Sequence, residues 1–402
     1  MAHSFDTLGE DDVLTKIGFH KLLLAFYTPV RWPGWLIAAV AVALAAVPGA
    51  LWWLLSRDAG LAGVVVAILL AFIAVDAYIL ELLPRRRISF GPWKGQISPL
   101  ALLRVVAALL LGILGLVLGW PTALLLTVAA QFVGTAALYR AALVEPRRLA
   151  LSHLRVSSDR LPPGAQPIRI LHISDIHLER LGEREARLLE LAREAKPDLI
   201  LLTGDYVNLS NNLDETTHQA VRRLLGHLSA HYGIYAVPGS PPVDLHAVIP
   251  VLFAGLPVSL LRNEAVEVTL SRNRRLTLIG LDCHHDIERD AAVLARVAAG
   301  APGNGPRVLL YHSPELFHQA VGQGIDLYLC GHTHGGQVRL PIIGPLLTMS
   351  KLGRRYAMGH HQESRTHLYV TRGIGFEGLS APRVRLFCPP EMTLVELGAN
   401  NQ

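Results

Sequence analysis

Six side chains able to hold a divalent cation stand just after short apolar runs in the second half of the chain. Ser174-Asp175-Ile176-His177 follows "IRILHI", and Gly204-Asp205 follows "LILLT". Tyr311-His312-Ser313-Pro314 and Gly331-His332-Thr333-His334-Gly335-Gly336 follow two later runs. Residues two apart on an extended chain point the same way, so Asp175 with His177, and His332 with His334, can each reach one point. Flanking glycines suit tight turns. A lone histidine is usually a surface or hydrogen-bonded residue, which is the reading for His172, His231, His318, His360 and His361. Two carboxylates and four imidazoles at successive strand ends are different, because gathering them without a counter-charge is costly. Carboxylate and imidazole ligands without thiolate suit Mn, Fe, Zn or similar divalent ions.

The elements that must position these groups are also legible. Ile168 to Ile173, Asp198 to Thr203 and Gly233 to Val237 read as strands, with Glu183 to Ala195 and Thr216 to Ser229 as helices between them. This βαβαβ order predicts an α/β domain whose ligands sit at the carboxyl ends of the strands. Further strands are expected at Val266 to Leu270, Leu276 to Leu281, Val308 to His312, Leu327 to Cys330, Leu368 to Thr371, Arg383 to Phe387 and Met392 to Leu397. Two sheets packed face to face with helices outside satisfy that order.

The first third of the chain has another character. Hydrophobic residues make up 51% of the sequence and charged residues 17%, and nearly all long apolar runs precede residue 145. A helix crossing about 30 Å of hydrocarbon needs roughly 20 apolar residues. Trp35 to Leu55, Leu61 to Leu83, Ile97 to Gly119 and Pro121 to Leu143 meet that length. The sequence thus divides into an N-terminal segment (1–34), a four-helix transmembrane domain (35–144), a linker (145–166) and the α/β domain (167–398). Val13, Leu14, Ile17 and Leu24 recur at helical spacing, as in a helix lying on a membrane surface. Lys16, Lys21 and Arg31 precede the first span, Arg85, Arg86, Arg87 and Lys94 fill the second loop, and Arg147 and Arg148 follow the last span. That alternation predicts a multi-pass protein of the inner (plasma) membrane with its α/β domain in the cytoplasm. These basic clusters sit beside apolar runs, so nucleic-acid binding is not expected from the net charge of +5. Cys283, Cys330 and Cys388 form no paired framework, in keeping with a compartment where no disulfide is needed. Asp76, Glu81, Arg104 and Arg140 fall within the spans, where interhelical ion pairing or snorkelling to the interface accounts for them.

The order Asp-x-His, Gly-Asp, His, Gly-His-x-His resembles the calcineurin-like metallophosphoesterase superfamily. The stretches "GHTHGGQVRLP" and "TRGIGFEGLSAPRVRLFCPPEMTLVEL" resemble its membrane-associated bacterial branch. Over residues 145 to 398 the resemblance implies a four-layer αββα sandwich holding two divalent metal ions. It assigns Asp175, His177 and His334 to one ion, Asp205 to both, and His312 and His332 to the second. Such a pair of ions shares a hydroxide and clamps a phosphoryl group for in-line displacement.

The resemblance breaks at one motif. The family carries Gly-Asn-His and then an acidic residue, with asparagine on the second metal and histidine assisting the leaving group. Here "YAVPGSPPVD" keeps Gly239 but has Ser240 and Pro241 in the next two places. Ser240 is a weak substitute ligand, and Pro241 has neither a ligand atom nor a proton to transfer. The second metal site is therefore expected to be the weaker. His246, His284 and His285 are the candidates to replace the missing proton donor, whose loss typically slows a reaction about 10²–10⁴-fold. The leading expectation is a membrane-anchored hydrolase, slowed at this motif, of phosphomonoesters, phosphodiesters or pyrophosphates, lipid-linked substrates included. The alternatives are a catalytically inactive metal-site protein that binds a phosphorylated ligand or partner, and a membrane element regulated by the soluble domain.

Overall fold

The computed structural model describes residues 28–85, 93–271, 274–378, 381 and 383–400. The expected N-terminal surface helix, with Lys16 and Lys21, lies outside them, as do Arg86 and Arg87. The described chain forms two compact units, residues 28–144 and residues 145–377 with 384–400.

The first unit contains helices α1 (Gly34–Ser56), α2 (Ala59–Arg85), α3 (Trp93–Leu118) and α4 (Trp120–Tyr139). All four are long and apolar enough to cross a membrane. They are apolar on every side, so what fixes their packing is close approach rather than an amphipathic stripe. Gly112 lies against the Trp52 indole, and a Cβ there would come within 2.5 Å of it. The Trp52 indole N–H donates to the Ala108 carbonyl at 2.9 Å. Among the described residues, Arg104 and Asp76 form a charged pair buried between these helices. Arg104 of α3 donates to both oxygens of Asp76 on α2, at 2.6 and 2.7 Å. It also donates to the Gln131 carbonyl, the Gln131 amide oxygen and the Thr135 hydroxyl of α4. The guanidinium thus ties three helices together, the interhelical pairing expected of these residues.

The second unit begins in the segment expected to be a linker. Ala150–Ser158 is instead a strand, β1, because each of its residues pairs in parallel with the last strand, up to Ser158 beside Ala399. Next come β2 (Ile168–Ile173), α5 (Glu183–Ala195), β3 (Leu199–Leu202), α6 (Glu215–Gly226), β4 (Ile234–Ala236), α7 (Ile249–Phe253) and β5 (Ser259–Leu260). The chain continues through β6 (Glu264–Ser271), β7 (Arg274–Gly280), α8 (Ile287–Ala299), β8 (Arg307–Leu310), α9 (Phe317–Gly322) and β9 (Leu327–Cys330). It ends with β10 (Arg339–Leu340), β11 (Gly344–Pro345), β12 (Gly359–Glu363), β13 (Thr366–Val370) and β14 (Glu391–Ala399).

One sheet has the order β1-β14-β2-β3-β4-β5 and the other β12-β13-β9-β8-β7-β6. Side chains alternate along the strands, as the period of two requires. Ile170, Leu199 and Leu201 meet Leu278, Val308 and Leu329 between the sheets. Leu171, Ile173, Ile200 and Leu202 face Leu188, Leu191 and Leu224 of the outer helices. On the far side Ile279, Leu309 and Tyr328 pack on Leu294, Phe317 and Ala320. The result is a four-layer αββα sandwich. Arg383 to Phe387, expected as a strand, makes only an isolated bridge from Leu386 to Val338. The reason is Arg385, which is buried and donates to the carbonyls of Gly375 and Arg372 instead of joining a sheet.

Two outcomes follow. Replacing Asp76 with leucine leaves Arg104 buried and uncompensated, and should destabilise the helical unit by about 3–5 kcal/mol. The double change Asp76→Leu with Arg104→Leu should recover most of that loss, measured by unfolding in mixed micelles. In the second unit, His172 on β2 is fully buried, with Nε2 2.8 Å from the Thr203 hydroxyl. Burial pushes its pKa down to about 3, so the fold holds the ring neutral. That contribution is complete above the unfolded value near 6.5 and is lost as pH falls from there toward 3. At pH 4.5 the loss should reach about 2–3 kcal/mol. His172→Gln should flatten this acid dependence, read by hydrogen exchange of the β2 amides.

Candidate metal centre

Because β2, β3 and β4 run parallel in one sheet and β7, β8 and β9 in the other, their carboxyl ends gather the polar loops. Backbone bonds continue the ladders past the strand ends. Asp175 N–H donates to Gly204 O at 3.0 Å, His177 N–H to Asp205 O at 2.9 Å, and Gly331 N–H to His312 O at 2.8 Å. The loops are strained where the ligands sit. Asp175, His177, Asp205, His332 and His334 all have positive φ, from 40° to 71°, a region few residues other than glycine occupy. Glycines make room for the carboxylates. A Cβ on Gly331 would lie 2.0 Å from Asp175 Oδ2, and one on Gly239 would lie 2.1 Å from Asp205 Oδ1.

All six predicted ligands are buried. Asp175, His177 and His334 bring one ligand atom each within 4.8 Å of one another, and so do Asp175, Asp205 and His312. Asp205 Oδ2 lies 3.3 Å from His177 Nε2 and 3.3 Å from His312 Nε2. His177 Nε2 and His334 Nε2 are 3.1 Å apart. His332 packs edge-on against His312 at 5.2 Å between ring centroids, and its backbone N–H donates to Asp175 Oδ1 at 2.9 Å.

Hydrogen bonding fixes which ring nitrogen faces inward. His312 Nδ1 donates to the Thr203 carbonyl at 2.7 Å, which turns Nε2 inward toward Asp205. Asp175 Oδ2, His312 Nε2 and His332 Nε2 are buried without a hydrogen-bond partner. Lone pairs converging in a dry site are what a divalent cation would relieve, and the oxygen and imidazole donors fit such an ion. Without a metal, charge is settled by protons. Burial opposes a charge on His312, but Asp205 and Asp175 outweigh it and push the ring up to about 10. Burial also works against ionising Asp205, yet His312 and His177 hold its carboxyl well below the usual range.

Two further residues, Asp244 and Arg385, support the ligand loops through backbone groups. Asp244 accepts from the backbone N–H groups of Asp205 (2.8 Å), Tyr206 (3.0 Å) and Gly239 (2.7 Å), locking two ligand loops together. Its burial, with Asp205 nearby, raises it to about 7. The only signal was a carboxylate five residues after Gly239. Arg385 reaches the His334 carbonyl at 3.3 Å, and a basic residue inside the apolar run "RVRLF" was its signal.

Around the altered motif, the Ser240 N–H donates to Asp205 Oδ1 at 2.7 Å. Of the three histidines considered as proton donors, His285 stands at this place. Its Nε2 is 3.1 Å from Ser240 Oγ, its ring centroid is 4.5 Å from that of His332, and its φ is 56°. Burial, with His332 and His312 close by, holds the ring well below the usual histidine value. His284 is engaged elsewhere, with Nδ1 2.8 Å from Asp290, and His246 Nδ1 meets Arg262 at 2.6 Å.

The profile of the calcineurin-like phosphoesterase family matches residues 168–240. The metallophosphoesterase YkuE of Bacillus subtilis is 30% identical over 267 residues, 64% of this chain and 88% of that protein. The phosphodiesterase YaeI of Escherichia coli is 31% identical over 238 residues, 58% of this chain and 83% of that protein. A Bos taurus transmembrane protein with a metallophosphoesterase domain is 28% identical over 269 residues, 62% of this chain and 57% of that protein. With this sandwich, this buried donor set and relatives matched over most of their length, the chain belongs to the calcineurin-like metallophosphoesterases.

Proposed function

We propose that the chain is a membrane-anchored hydrolase of phosphoesters, with phosphodiesters as its leading substrate class and lipid-linked esters among them. The observation that carries this reading is the set of unpaired lone pairs, on Asp175 Oδ2, His312 Nε2 and His332 Nε2, buried at one edge of the sandwich. Asp175, His177 and His334 would hold one divalent ion, His312 and His332 a second, with Asp205 between them. Bound there, the ions supply Lewis-acid activation of water and neutralise charge on the phosphoryl oxygens. YaeI, a relative described as a phosphodiesterase, supports the substrate class.

The chain's own groups do the positioning. Asp205 is held from both sides, by the Ser240 N–H on its carboxylate and by Asp244 on its backbone. Ser240 and His285 fill the place where the family has asparagine and histidine. There the His285 imidazole can hydrogen-bond the leaving oxygen, a role Pro241 cannot perform. Lys94, Arg147 and Arg148 beside the spans, with an uncharged turn at Gly119, support a cytoplasmic catalytic unit in the plasma membrane.

Purified full-length protein supplied with Mn²⁺ should cleave a soluble aryl phosphodiester, and Asp205→Ala should abolish that turnover. His285→Gln should lower kcat about 10²-fold with the bound manganese unchanged. If the parent turns over no faster than Asp205→Ala while Ser240→Asn with Pro241→His is active, the natural chain is a phospholigand-binding protein instead. The retained Gly239 with Pro241 in the histidine's place is the feature that favours that second reading.

A further inference from the structure

The segment that leaves the metal centre builds an apolar projection. Directly after His334 and Gly335-Gly336, β10 and β11 pair as a short antiparallel hairpin, with Arg339 opposite Pro345 and Leu340 opposite Gly344. Its tip is Pro341-Ile342-Ile343, closed by the Ile343 N–H on the Pro341 carbonyl at 2.8 Å. Ile342 has φ 71°, so the tip is a γ-turn of the positive-φ kind, a strained turn with a β-branched residue at its centre. That geometry leaves Ile342 fully exposed, Ile343 58% exposed and Leu347 62% exposed. Leu340, Leu346 and Phe387 are exposed beside them, with Phe387 next to the bridge that ties the hairpin base to Leu386.

The surroundings indicate what covers this surface. Residues 335–362 contain Arg339, Lys351, Arg354 and Arg355 and no aspartate or glutamate, a formal charge of +4. Lys351, Arg354 and Arg355 are exposed. Arg339 lies at the hairpin base and Arg354 reaches the Leu346 carbonyl, so apolar side chains at the tip with cationic groups at its base match an anionic bilayer, acyl chains at the tip and phosphates at the base. A bilayer is also within reach by chain connectivity. The last membrane-length helix ends at Tyr139, and β1 of the catalytic unit begins at Ala150.

We infer that the β10–β11 hairpin is a wedge that inserts into an anionic membrane surface and brings membrane-resident phosphoesters to the metal centre. This rests on the membrane-anchored reading and extends it to the substrate's location. The hairpin's first residues follow the ligands His332 and His334, so the wedge and the chemistry share one loop.

The test uses the full chain in nanodiscs containing an anionic phospholipid. Cys283, Cys330 and Cys388 are buried, so Ile342→Cys can be labelled with an environment-sensitive fluorophore, with Ser364→Cys as control. The expected result is blue-shifted emission from position 342, quenched by doxyl groups on the acyl chains, and water-like emission from position 364. A water-like signal at 342 overturns the wedge. A blue shift without doxyl quenching overturns it too, and means that protein covers the tip. Ile342→Asp with Ile343→Asp should lower kcat/KM on a phosphodiester held in the bilayer at least 10-fold while leaving a soluble diester untouched. Equal loss on both substrates overturns the delivery role. Doxyl quenching without hydrolysis of either ester leaves the wedge standing and removes the hydrolase reading alone.

Discussion

The soluble unit is organised around an electrostatic conflict. Asp205 Oδ2 faces a histidine nitrogen at 3.3 Å on either side, and Asp175 sits against the same cluster, all away from water. Left alone, carboxylates and imidazoles crowded together in this way would push their loops apart or draw in protons and water. Much of the surrounding architecture resists that. Parallel strands from two sheets fix the loop origins, and Asp244 bonds two loops to each other. Glycines remove the atoms that would keep carboxylate and backbone apart. Backbone strain concentrates at the ligands for the same reason, since five of the six take a conformation that the rest of the fold must impose.

This accounts for what could be read from the sequence. Asp175 with His177, and His332 with His334, are pairs two residues apart that immediately follow apolar runs, so their place at strand ends is legible although the left-handed backbone that aims them is not. The sandwich was legible for the same reason, because runs such as Ile168–Ile173 and Leu199–Leu202 are short, apolar and separated by amphipathic helices. Residues acting through backbone groups were not legible. Asp244 and Arg385 act on N–H and carbonyl groups, which every residue carries, so nothing in the sequence marks their targets. The role of β1 was hidden similarly. Ala150–Ser158 looks polar and linker-like, and becomes a strand only because residues 391–399 arrive beside it from more than two hundred residues away.

The two units handle polarity in opposite ways. The helical unit buries one guanidinium and saturates it with a carboxylate, an amide and a hydroxyl from neighbouring helices. The metal centre of the α/β unit gathers two buried carboxylates and four buried imidazoles and leaves several of their polar atoms without a hydrogen-bond partner. Full saturation gives rigidity, while the unmatched set gives a site with affinity for something outside the protein. The altered Gly239-Ser240-Pro241 loop sits on the boundary between these regimes, since His285 restores a hydrogen bond to Ser240 without saturating the rings beside it.

The pairing of the first strand with the last has a consequence for how the protein is made. In the first sheet, β14 lies between β1 and β2. When the ribosome has released β1 and β2, the strand that separates them is still untranslated. The four membrane-length helices, by contrast, all precede β1 in the chain. Synthesis therefore completes four membrane-length helices while the half-built sheet still waits, with the edges on both sides of a missing strand exposed. Only when residues 391–399 arrive can that gap close.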